Sequence, residues 1–87
     1  MYIIVFSKKF LDSTNKLDSK LKLKLKERLD LLQESLFNKF LLTKPLTGKL
    51  SGFYSFRLGK DYRVIFKLLS QNNIYLIKVG HRKDIYK

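Results

Sequence analysis

Leu21-Lys22-Leu23-Lys24-Leu25-Lys26 alternates apolar and charged residues, and whether it forms a strand or a helix decides the fold. Six alternating residues imitate a half-buried strand, but the longer window obeys a different period. Leu21, Leu25, Leu29, Leu32 and Leu36 fall in one stripe at the helical repeat, with Lys22, Lys26, Asp30 and Gln33 opposite. Leucine and lysine also favour helices, whereas strands favour β-branched and aromatic side chains. The segment is therefore read as a helix capped by Asp18 or Ser19. Leu23 lies off the stripe, so it either packs under a neighbouring helix or is offered to a partner.

Upstream, Tyr2–Phe6 is β-branched and aromatic and reads as a strand. Ser7 then caps a short helix from Lys8 to about Leu17, with Phe10, Leu11 and Thr14 on one side. Downstream, Lys39 to Gly52 contains the only proline, Pro45, and reads as a surface connection. Three strands follow, at about Phe53–Leu58, Tyr62–Leu69 and Ile74–Val79, with turns at 59–61 and 70–73. The order β-α-α-β-β-β predicts an α+β fold: a two-helix hairpin on one face of a mainly antiparallel four-stranded sheet. At 87 residues the chain is expected to be a single domain, residues 1–87, and its 45% hydrophobic content suffices for one core.

No cysteine and one histidine exclude a disulfide scaffold, a thiol nucleophile and a Cys- or His-built metal site. Neither metal nor cofactor is expected. No apolar run approaches membrane-spanning length, and no basic segment precedes an apolar one at the N-terminus, so a cytoplasmic protein is expected. The charge points to a partner. Residues 1–38 hold eight basic and five acidic residues, whereas residues 39–87 hold eleven basic residues against Asp61 and Asp84 alone. A net charge of +12 on one small domain is self-repulsive, and a polyanion such as nucleic acid relieves it.

Strand parity sorts these cations. The sets Tyr54, Phe56, Leu58; Tyr62, Val64, Phe66, Leu68; and Tyr75, Ile77, Val79 are apolar and are expected to face the helices. The other sets place Arg57, Arg63, Lys67, Lys78 and Arg82 together on the open face, without matching carboxylates. Tyr54, Phe56 and Tyr62 share the core parity, so they are core residues rather than a base-stacking platform.

Lys44-Pro45-Leu46, Gly48-Lys49-Leu50, Phe56-Arg57-Leu58-Gly59, Asp61-Tyr62-Arg63-Val64-Ile65-Phe66 and Val79-Gly80-His81-Arg82-Lys83-Asp84-Ile85-Tyr86 together resemble toxins of the RelE/ParE superfamily, the RelE branch in particular. The resemblance spans nearly the whole chain. It implies the toxin of a type II toxin–antitoxin pair that cleaves mRNA in the ribosomal A site and is held inactive in a complex with a cognate antitoxin. An acidic, helical antitoxin segment suits a +12 chain. Related proteins of ParE type instead inhibit DNA gyrase, and a silent RNA- or antitoxin-binding module is a third reading.

Residue by residue, the resemblance carries over Arg63, Arg82 and Tyr86 as catalytic positions, and Arg57 as the second of two strand cations. Ser55 stands where the family has the first of those, a lysine. The interval from Arg82 to Tyr86 is shorter than in the best-known member. The chemistry implied is attack of a ribose 2′-OH on its own 3′ phosphorus, which needs a base, cations on the phosphate oxygens and a proton for the leaving oxygen. Arginine suits the phosphate because it is permanently charged and bidentate. Lys49, if crowded by cations, is a candidate base. His81 has a suitable intrinsic pKa, though parity turns it toward the helices unless a bulge near Gly80 re-aims it. Lys67, Lys78 and Lys83 complete the candidate phosphate-binding set.

Overall fold

The computed structural model describes residues 1–86. Its elements are β1 (Ile3–Phe6), α1 (Lys8–Thr14), α2 (Ser19–Glu34), β2 (Lys44–Pro45), a single 3-10 turn (Gly48–Leu50), β3 (Phe53–Leu58), β4 (Tyr62–Leu68) and β5 (Asn73–His81). They form an α+β fold with both helices on one face of a sheet ordered β1-β5-β4-β3-β2. The sheet has five strands rather than the expected four. The extra one, β2, is a two-residue edge strand whose Lys44 and Pro45 pair with Ser55 and Tyr54. Edge position lets Pro45 be a strand residue, because its missing N–H costs no ladder bond there. Every pairing is antiparallel except β1 with β5.

The Leu-Lys stretch is helical. Leu25, Leu32 and Leu36 are buried, Leu21 and Leu29 pack against the core, and Asp18 caps the helix by accepting from the Leu21 N–H at 2.8 Å. Leu23 is not under α1; it is 68% exposed. Helix α1 is shorter than expected. The Ser13 and Thr14 hydroxyls donate to the Phe10 and Leu11 carbonyls at 2.8 and 2.7 Å, a local competition that favours termination.

The core lies between the helices and one sheet face, centred on Phe10, Phe56, Phe66, Leu32, Leu76 and Leu41. On β3 and β4 the core set is the one that parity predicts. On β5 it is Ile74, Leu76 and Val79 instead of Tyr75, Ile77 and Val79, because a bulge intervenes. Ile65 pairs with Lys78 and Phe66 with Leu76, so Ile77 is the extra residue and the alternation flips across it. The Ile77 carbonyl accepts from the Ser7 hydroxyl at 2.9 Å, and Val79 N–H donates to Ser13 Oγ at 3.1 Å. Helix α1 thus takes over the edge of β5 where β1 stops.

Candidate functional site

On the open face the strands line up in rows, since directly paired residues share a side. The first row is Arg57, Arg63 and Gly80; the second is Lys44, Ser55, Ile65 and Lys78; the third is Phe53, Lys67, Tyr75 and Val5. Successive rows are two residues apart, about 7 Å along the strands. Lys78 reaches this face only because of the bulge at Ile77; strict alternation from buried Leu76 would bury it. Lys44 belongs to the face as well, although the sequence placed it in a connection.

Arg57 and Arg63 are directly opposed across β3 and β4, a like-charge pair that weakens the sheet until counter-charge arrives. Arg63 is oriented by its own turn: Nη1 donates to the carbonyls of Lys60 at 3.1 Å and Tyr62 at 2.9 Å. Gly59, at φ 73°, provides the left-handed residue of that turn. Arg82 follows the end of β5 and is tied to the same turn. Its N–H donates to the Asp61 carbonyl at 2.7 Å, and its Nε lies 3.6 Å from Asp61 Oδ1. Both members of that ion pair are about half exposed, so it is a weak tether rather than a lock. Register carried one residue past the strand makes Arg82 the diagonal neighbour of Arg63, with Cα atoms about 7–8 Å apart for such pairs.

The C-terminal turn covers the middle of the face. Ser55 and Ile65, although on the open side, are each only 1% exposed. Tyr86 donates its hydroxyl to Ser55 Oγ at 3.2 Å, and Ile85 is buried beside Gly80. A Cβ at Gly80 would stand 3.3 Å from Ile85 Cδ1, so the missing side chain makes room for the turn. The shorter interval from Arg82 therefore still brings Tyr86 onto the basic face, and Ser55 is its anchor.

Two candidates lie elsewhere. Lys49 sits in the 3-10 turn before β3, beyond Phe53, so roughly 13 Å of strand separates that end from Arg57. The structure does not bring it to the arginines. His81 pairs with Tyr62 on the helix side, its ring edge-on to Tyr62 with centroids 5.5 Å apart. Its Nδ1 accepts from the Lys83 N–H at 3.1 Å. The bulge occurs at Ile77 rather than near Gly80, so His81 is not re-aimed. Lys83 is exposed within the C-terminal turn. Lys78 has its pKa lowered from the ordinary lysine value, first by partial burial and then by the nearby Lys9 ammonium. Among the described residues no three His, Cys, Asp or Glu side chains gather as a metal site would require, and no helix is long and apolar enough to cross a membrane.

Residues 4–86 match the family model described as ParE toxin of type II toxin–antitoxin system, parDE. The chain belongs to the ParE toxin family. It thereby falls within the RelE/ParE toxin superfamily, and solved structures share its fold. YafQ from E. coli is 18% identical with a TM-score of 0.82, covering 100% of both chains. The YoeB/ParE toxin from Agrobacterium tumefaciens is 17% identical with a TM-score of 0.79, over 92% of this chain and 98% of that one. The archaeal RelE–RelB complex from Pyrococcus horikoshii is 24% identical with a TM-score of 0.78, over 95% and 97%. No curated protein sequence matches.

Proposed function

We propose that this toxin is a metal-independent endoribonuclease that cuts mRNA on the ribosome and is neutralised by an acidic antitoxin segment. The observation that supports the reading is the direct pairing of Arg57 with Arg63, with Arg63 and Arg82 both tied to the turn between those strands, beside a tyrosine anchored on the same face. Three guanidinium groups there suit one phosphodiester whose equatorial oxygens gain charge as the 2′-oxygen attacks. The new bond joins the 2′-oxygen to phosphorus, the bond to the 5′-oxygen breaks, and a 2′,3′-cyclic phosphate is left.

Lys78 is the base in this reading, in place of Lys49 or His81. It is the diagonal neighbour of Arg63 through Gly80, and its lowered pKa enlarges the neutral fraction that can take the 2′ proton. Arg82, about half exposed, stabilises the departing 5′-oxygen, which takes its proton from water. Tyr86, with its hydroxyl spent on Ser55, offers its ring to a base. The solved RelE–RelB complex supports an antitoxin as partner.

The family model favours a second reading, a ParE-type inhibitor of DNA gyrase. Mapping mRNA ends in cells expressing the wild type or Arg63→Ala separates the two. Nuclease action gives new ends with the wild type and none with the variant. Intact transcripts accompanied by DNA damage would establish the gyrase reading instead.

A further inference from the structure

The third row of the open face is chemically unlike the other two. Lys67 stands between Phe53 on β3 and Tyr75 on β5, directly paired with both. Its ammonium is 5.8 Å from the Phe53 ring centroid and 5.9 Å from that of Tyr75. Both rings are partly exposed, on the side of the sheet that no helix covers. Their backbones are two strand spacings apart, roughly 10 Å. The row thus presents two partly exposed rings with the Lys67 ammonium between them, so a planar group reaches a ring face as that flexible side chain swings aside.

Its position supplies the occupant. The row lies about 13 Å along the strands from Arg57 and Arg63, on the same face and with Tyr86 between them. A polyanion gripped by the arginines and continuing over Tyr86 arrives at the two rings with its cation already in place. Single-stranded nucleic acid is the polymer that alternates charge with flat aromatic groups in this way. Resting on the proposed reading of RNA as substrate, we propose that Phe53, Lys67 and Tyr75 form a base-stacking subsite for a nucleotide flanking the scissile phosphate. The rings stack on the nucleobase, and Lys67 meets its polar edge or the adjoining phosphate. The site is tolerant of base identity, because every base presents a π face.

The test is binding of a short single-stranded RNA and of the same strand with abasic positions, followed by fluorescence anisotropy across a salt series. The full-length wild type is compared with the double variant Phe53→Leu, Tyr75→Leu, which keeps apolar volume, and with Tyr75→Phe, which keeps the ring. Expected is a loss of about five- to 150-fold for normal RNA in the double variant. The salt slope should be unchanged, the abasic strand unaffected and Tyr75→Phe near wild type. Equal losses for normal and abasic strands would overturn the proposal, as would wild-type RNA affinity in the double variant. So would a defect confined to binding an acidic antitoxin peptide, which makes the row a protein contact. Base-dependent binding without any mRNA cleavage in cells would refute the nuclease reading and leave the subsite standing.

Discussion

Ile85→Ala should release the C-terminal turn without unfolding the domain. Ile85 is 3% exposed, and burying such a side chain contributes about 1.5–3 kcal/mol. Polar ties of the turn include the Arg82 N–H on the Asp61 carbonyl at 2.7 Å, the Lys83 N–H on His81 Nδ1 at 3.1 Å, the Asp84 and Ile85 N–H groups on the His81 carbonyl at 2.9 and 3.0 Å, and the Tyr86–Ser55 hydroxyl pair. A neutral hydrogen bond contributes about 0.5–1.5 kcal/mol net, and ordering each residue costs about 1–2 kcal/mol. Ile85 is the one side chain that residues 82–86 bury, so its apolar contact is the part of the hold that truncation removes. Losing about 2–3 kcal/mol there raises the open population about 30- to 150-fold. Hydrogen exchange at the amides of Asp84 and Ile85 should accelerate by that factor, while the main melting transition moves little. Growth inhibition should fall as Tyr86 leaves Ser55. Unchanged exchange at those amides would refute the reasoning. So would a collapse of the whole melting transition, the result expected of a core change such as Phe66→Ala.

Cleavage should rise with pH and level off below the ordinary lysine range, since the neutral form of Lys78 is the working base and its pKa is lowered. Lys78→Met should flatten that profile; a profile identical to wild type would remove Lys78 from the mechanism. The same shift has a stability sign. The unfolded chain holds this proton more tightly than the folded one, so stability increases as pH climbs from the lowered value toward the ordinary one, and Lys78→Met should melt higher at neutral pH. Arg57→Ala should leave the melting temperature unchanged or slightly raised, because it relieves a directly opposed like-charge pair that costs about 0.2–1 kcal/mol. A clear fall measured by circular dichroism would mean that the pair is not repulsive.

The helical stripe of α2 was legible because Leu21, Leu25, Leu29 and Leu32 at one repeat outweigh a six-residue alternation, while Leu36, the fifth leucine of the expected stripe, is buried just past the end of the helix. Parity was equally readable on β3 and β4, where each strand has one wholly apolar set. On β5 it was not. Ile74-Tyr75-Leu76-Ile77 is apolar on both sides, so nothing in that run reveals which residue the bulge makes surplus. Lys78 still reaches the predicted face because two errors cancel: the wrong set was turned inward, and the bulge then flips the rest. Strand β2 escaped notice because two residues carry no period, and Lys44 with it. Parity put the arginines on one face and motif resemblance gave them roles, whereas the anchoring of Tyr86 on Ser55 depends on a turn whose path only tertiary packing fixes. Lys49 lies at the other end of β3 from Arg57, which the resemblance could not show, since a motif gives order along the chain but not which end of a strand a loop occupies.

The parallel pairing of Ile3–Phe6 with the segment from Asn73 to Leu76 joins residues about seventy positions apart, and β5 lies between β1 and β4 in the sheet. Such non-local closure slows folding, because the entropy of the intervening loop is spent before the contacts form. A nascent chain has no β5 to offer until residues 73–81 have been made, so β1 waits unpaired while the roughly seventy residues between are synthesised. The topology therefore acts as a timer: the strands that carry the open-face cations join one sheet only after β5 has been made.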